Sequence, residues 1–139
     1  MNEQNIQISS IFSSITGIVP IDIYQDENNI YFLVEDKDKA LKKFNDIKKK
    51  FENKNIIILN HSDNVDKFVD NFFNNIKILK KERILINNVP TIVIDVSYED
   101  SKKAFGKNHS KFNAGKYFFN KLFKHDIYIR KVNSNDLNR

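Results

Sequence analysis

Cysteine and tryptophan are both absent from the 139 residues. Without cysteine there are no disulfide scaffolds, thiolate zinc sites or cysteine nucleophiles. Three glycines and two prolines are all that punctuate the chain, so it has neither a Gly-rich phosphate loop nor a Gly/Ser- or Pro-rich linker. Long apolar runs are missing as well. The longest, such as Ile56-Ile57-Ile58 and Thr91-Ile92-Val93-Ile94, are strand-length, whereas a spanning helix needs about 20 mostly apolar residues. At the start, Asn2, Glu3, Gln4 and Asn5 supply no basic segment, and Ser9, Ser13 and Ser14 interrupt the apolar residues that follow. No secretory leader is expected. The chain reads as cytoplasmic, without a membrane partner, and as a monomer.

Catalytic signatures are equally scarce. The three histidines, His61, His109 and His125, show no metal-ligand spacing, so neither a metal nor another cofactor is expected. No Gly-x-Ser-x-Gly elbow is present, and Asp22 with Asp26, or Glu99 with Asp100, are carboxylate neighbours with no nucleophile beside them. The chain does not read as an enzyme.

What is abundant is lysine, isoleucine and asparagine, 20 of each. An A+T-rich genome could produce that bias, so the number of lysines carries less information than their placement. From Met1 to Asp63 there are 8 basic residues against 10 acidic, and from Asn64 to Arg139 there are 15 against 8. Between Ser101 and Lys131 nine basic residues face Asp126 alone. A local basic surface of this kind suits polyanions.

The hydrophobic pattern is written twice. Ile8, Ile11, Phe12 and Ile15 fall on one helical face before Gly17, and Val65, Phe68, Val69 and Phe72 repeat that spacing. After the first helix come alternating Val19, Ile21 and Ile23, a polar turn at Asp26 to Asn29, and the run Ile30 to Val34; this predicts a hairpin. Ala40, Leu41, Phe44, Ile47 and Phe51 then keep helical spacing from Asp36 to Phe51, with seven lysines on the solvated face, and Asn55 to Asn60 reads as a strand. In the second half Ile76 to Ile86 and Thr91 to Val96 flank Asn87-Asn88-Val89-Pro90 as a second hairpin. Tyr98 to Phe105 and Ser110 to Phe123 are helical on either side of Gly106-Lys107-Asn108-His109, and Asp126 to Lys131 alternates as a strand. Phe112, Phe118, Phe119, Leu122 and Phe123 read as core or module interface. The fold class is therefore α/β (α+β): two tandem modules, 1–62 and 63–132, each a small mixed three-stranded sheet with helices on one face, followed by a disordered tail, 133–139.

The helix, Gly-Lys-Asn turn, helix, strand order of the second copy resembles a KH domain, and the preceding helix and hairpin resemble its type II arrangement. Two such modules in tandem resemble the archaeal NusA-like transcription factors. The best local match is Asp100-Ser101-Lys102-Lys103-Ala104-Phe105-Gly106-Lys107-Asn108, similar to that family's acidic residue, small apolar pair and Gly-Lys-Asn-Gly loop. The loop's second glycine is His109 here, and the corresponding stretch of the first copy, Ala40 to Asn45, has no glycine and is shortened. The resemblance implies single-stranded RNA binding in transcription elongation or termination, through the second copy, with RNA polymerase or other transcription factors as further partners. The alternative is a KH-like protein that serves as a protein–protein scaffold and binds little RNA.

Such a loop exposes backbone N–H groups and the positive end of a helix dipole to phosphate oxygens, above an apolar floor for bases. In that reading Gly106 permits close approach, Lys107 supplies a cation, and Asn108 tolerates left-handed geometry and offers polar contact. His109 either stacks on a base, presents a partial cation to phosphate, or narrows the groove. Lys103, Lys111 and Lys116 on the flanking helices complete the expected RNA-binding set.

Overall fold

Asn2 opens the first helix. In the computed structural model, which describes residues 2–133, its side chain accepts the Asn5 N–H at 2.8 Å and starts α1 (Glu3–Thr16). Gly17, at φ 74°, ends the helix by donating its N–H to Ser13 O. A hairpin follows, of β1 (Asp22–Gln25) and β2 (Asn29–Val34). Its turn is held by the Asp26 carboxylate, which accepts the Asn28 and Asn29 N–H groups at 2.9 and 2.8 Å. The chain continues through α2 (Lys37–Leu41), α3 (Phe44–Lys50) and β3 (Asn55–Asn60) to α4 (Val65–Phe72). The helical spacing from Asp36 to Phe51 is thus split into two short helices. The break falls at Lys43, whose φ of −111° and ψ of 19° leave the helical range without a glycine or proline to force it.

The second half repeats the order with β4 (Lys80–Ile86), β5 (Val89–Ser97), α5 (Tyr98–Phe105), α6 (Ser110–Phe123) and β6 (Asp126–Val132). Its hairpin tip is tighter than the sequence suggests. Asn87 and Asn88 alone form the turn, at φ 52° and 66°, the left-handed pair of a type I′ turn that asparagine tolerates. Val89 and Pro90 already belong to β5, opposite Ile86 and Leu85.

Each half builds one three-stranded mixed sheet, ordered β1-β2-β3 and β4-β5-β6. In both, the middle strand runs antiparallel to the preceding strand and parallel to the one reached by the helical crossover. Parallel pairing requires that crossover, which explains why a helix pair separates the last two strands of each module. The expected two-module α/β fold is therefore present. By packing, the chain divides after Phe72, so α4, which begins the second repeat in sequence, belongs to the first compact unit. There it lies along β3, with the Asn71 amide donating to Asn60 O at 3.1 Å. Of the expected tail, 133–139, everything past Asn133 lies outside the described residues.

In the first unit Phe12 stacks on Phe32 with ring centroids 4.2 Å apart. Around this pair Ile8, Ile23, Ile30, Val34, Ala40, Ile47 and Ile58 form one buried cluster; each large aliphatic or aromatic side chain so buried contributes about 1.5–3 kcal/mol. Ile11, from the predicted apolar face, is exposed. Asn5 is buried among these residues because both ends of its amide are used: it donates to Ile23 O and accepts from the Gln25 amide. In the second unit Ile92, Ile94, Val96, Ile127 and Ile129 of the sheet are buried together with Ala104 of α5 and Ala114, Phe118 and Phe119 of α6.

Candidate nucleic-acid interface

The junction between α5 and α6 is built on three residues with positive φ, Gly106, Asn108 and His109. Gly106 ends α5 at φ 76°, ψ 166°, a region that glycine alone occupies readily, and donates its N–H to Lys102 O at 2.9 Å. A Cβ there would lie 2.8 Å from the Lys111 backbone nitrogen and 2.9 Å from its Cβ. Gly106 is thus required by the chain's own packing, since the loop presses directly on the first turn of α6. Lys107 to His109 form a single 3-10 turn, in which Asn108 and His109 are both left-handed, at φ 56° and 60°. Asparagine bears that geometry easily. Histidine does so at a cost of about 1–3 kcal/mol.

Contacts of the imidazole offset that cost. The His109 ring stacks on Phe105 at 4.9 Å between centroids, 29° between planes, and meets the Phe112 ring edge-on at 6.3 Å. Phe105 and Phe112 are themselves 5.4 Å apart. Three rings from the end of α5, the loop and the first turn of α6 therefore form one cluster outside the core, with Phe105 and Phe112 half-buried and His109 exposed. Phe112, expected in the core or at a module interface, is half-buried here. Phe118 and Phe119 are fully buried, as their helical spacing predicts.

Two adjoining depressions open onto this cluster. The first, about 600 Å³, runs from Ser101 and Lys102 past Phe105 and Gly106 to Lys107, with Lys131 opposite. The second, about 450 Å³, lies between the ring cluster and the outer edge of β6, where Tyr128 and Arg130 stand across from Tyr98. Phe105, His109 and Lys131 line both, and among the described residues neither has a carboxylate in its lining. Tyr98 and Tyr128 are more than half exposed. The outcome is a groove with aromatic walls, cations at its rim and, along β6, the free backbone edge of a terminal strand.

The cations expected from sequence divide into two groups. Lys103 and Lys107 are exposed. Lys111 and Lys116 are engaged within the fold: the Lys111 ammonium donates to Asn75 Oδ1 at 3.0 Å and lies over the Phe73 ring, and the Lys116 ammonium bonds the Asp126 carboxylate at 2.9 Å and lies over Phe112. Lys102, Lys131 and Arg130 take their places in the groove lining. Arg130 is fixed by a two-pronged bond to Asp95, 2.8 and 2.9 Å, and approaches Glu82 at 3.5 Å, so it bridges all three strands of its sheet. The hydrogen bond that Arg130 donates to Asp95, and then the charge of that carboxylate, raise the guanidinium above its already high ordinary value.

No family model and no curated protein matches the chain. Among solved structures it is similar to the protein identified as APE1850. The two agree with a TM-score of 0.73 at 26% identity, over 94% of this chain and all of the other. That name states no function, so the similarity speaks to the fold. Among the described residues no three His, Asp or Glu side chains gather as a metal site, and no helix is long and apolar enough to cross a membrane.

Proposed function

We propose that the protein binds single-stranded RNA in the groove between the α5–α6 junction and β6, and that it does so in the cytoplasm as a partner of the transcription machinery. The observation that carries the RNA reading is the meeting, in one groove, of stackable rings with cations and, among the described residues, no carboxylate. Bases have π-faces that stack on aromatic side chains for about 1–3 kcal/mol each, while the backbone follows a positive rim. Lys107 on the loop and Lys102 and Lys131 on either wall are placed for phosphates. As the terminal strand of its sheet, β6 lines the same depression as the rings and would offer backbone donors and acceptors to the hydrogen-bonding edges of unstacked bases. The resemblance to tandem KH modules leads from RNA binding to transcription.

The first unit has no equivalent of this loop. Its helices α2 and α3 meet at Lys42-Lys43 without glycine, and we assign it no RNA site. Titration of a labelled single-stranded RNA of about 10 nucleotides at two salt concentrations tests the reading. Binding should weaken as salt rises, with a slope of about −0.7 per phosphate neutralised. Binding that ignores salt, or survives loss of Lys107 and Lys131 together, refutes it.

A further inference from the structure

The β4–β5 hairpin carries a second surface, far in character from the RNA groove. Ile84, Ile86 and Val89 lie on one face of its distal end, exposed to 41, 40 and 44%, and Leu85 on the other, exposed to 69%. Burial returns only at Thr91, which is also where β6 begins to pair with β5. The end of the hairpin is thus a two-stranded arm with aliphatic residues on both faces. Its two edges differ. On β5, Pro90 has no N–H to offer, and the Val89 carbonyl accepts the Thr91 hydroxyl at 2.9 Å. On β4 the ladder to β5 runs without a bulge from Lys80 to Ile86, and Ile84, Leu85 and Ile86 carry neither charge nor proline, the devices that usually protect a terminal strand.

We infer that β4 is a docking strand for an extended segment of a partner protein that is apolar along one half and acidic along the other. Added as a fourth strand, such a segment would pair with the free backbone of β4 and cover Ile84, Leu85 and Ile86. Its acidic positions would face the other half of the strand, where Lys80 and Arg83 are exposed and the single carboxylate, Glu82, is turned to Arg130. A second copy of this chain fits less well: full-length antiparallel pairing of two β4 strands sets Arg83 against Arg83, and each strand brings three cations to one carboxylate. Nucleic acid has no use for three aliphatic side chains and finds no ring on β4 to stack on. The inference is independent of the RNA groove, which uses the opposite edge of the same sheet.

The probe is a synthetic peptide of about eight residues, Glu along one half and Val along the other, compared with its Lys/Val counterpart and followed by amide shifts in NMR and by fluorescence anisotropy. The Glu/Val peptide should shift the amides of residues 80–89, and Lys/Val should not. Leu85→Glu should weaken binding about tenfold or more, and Arg83→Glu should exchange the preference between the two peptides. Both changes lie at exposed positions, and circular dichroism checks that the variants fold. No Glu/Val binding at millimolar concentration, or equal binding of both peptides, overturns the inference. So does a concentration-dependent dimer that Leu85→Glu abolishes, or a single-stranded RNA that shifts these same amides.

Discussion

At the level of single residues, Gly106 and His109 divide the work of the loop. Gly106 is needed for the backbone it adopts and for the space against Lys111. Gly106→Ala should therefore destabilise the protein by about 1–3 kcal/mol in urea unfolding and weaken RNA binding as well. His109 occupies the face of Phe105 that a base would use. His109→Gly should relieve the left-handed strain, vacate that face and tighten RNA binding about fivefold, the equivalent of roughly 1 kcal/mol of stacking; weaker binding in that variant would show that the imidazole is itself the contact. The Gly-Lys-Asn-His turn and its left-handed asparagine were legible in the sequence, because few residue types fit such a backbone. The ring cluster was not. Phe105, His109 and Phe112 fall at helical intervals across a loop that is not helical, and spacing alone cannot distinguish a half-buried wall from a core. The engagement of Lys111 and Lys116 was hidden for a related reason: their partners, Asn75 and Asp126, are 36 and 10 residues away.

Among the elements, β3, α4, α5 and α6 coincide with the residues that periodicity assigns to them, since each is bounded by a clear polar break. The first hairpin and the α2–α3 pair do not follow so simply. Val19 and Ile21 alternate like a strand, yet β1 begins only at Asp22. The helical face from Ala40 to Phe51 is continuous in sequence but folds back at Lys43, where tertiary packing of Ala40 and Ile47 into one cluster outweighs helix propensity. The strands themselves offer two tests. Tyr24 on β1 titrates above its ordinary value because burial, and then the Asp26 charge, oppose the phenolate. The folded state thus keeps a proton that the unfolded chain gives up, and stability present below the unfolded value of about 10 should fall as pH rises beyond it. Urea midpoints across that range should decline less steeply in Tyr24→Phe. On the second sheet, Asp95→Asn removes the charge that fixes Arg130 across β4, β5 and β6; a lowered thermal midpoint, together with weaker RNA binding through a displaced Arg130, is the expected result.

On the scale of the molecule, charge is sorted between two modules of similar build. Lys107→Glu should weaken RNA binding strongly and reduce its salt slope by about one phosphate contact. Lys42→Glu or Lys43→Glu, on the module without the loop, should change affinity little, and Lys116→Glu should register mainly as lost stability through Asp126. Comparable losses at Lys42 and Lys107 would mean that net charge, rather than the groove, holds the RNA. The duplication could be read in advance because each half repeats its hydrophobic spacing in the same order. The division after Phe72 could not, since α4 belongs to one repeat by sequence and to the other unit by packing.

The parallel pairing of β2 with β3 and of β5 with β6 also sets a timetable for synthesis. A ribosome releases the chain from its N-terminus, and a parallel partner exists only after the intervening crossover has emerged. For the first sheet that interval is 26 residues, and it closes once Asn60 is made. For the second it is 35, ending at β6. The last strand of the first sheet is therefore made before any strand of the second. Over the later interval the apolar hairpin of β4 and β5 stands exposed, awaiting its third strand.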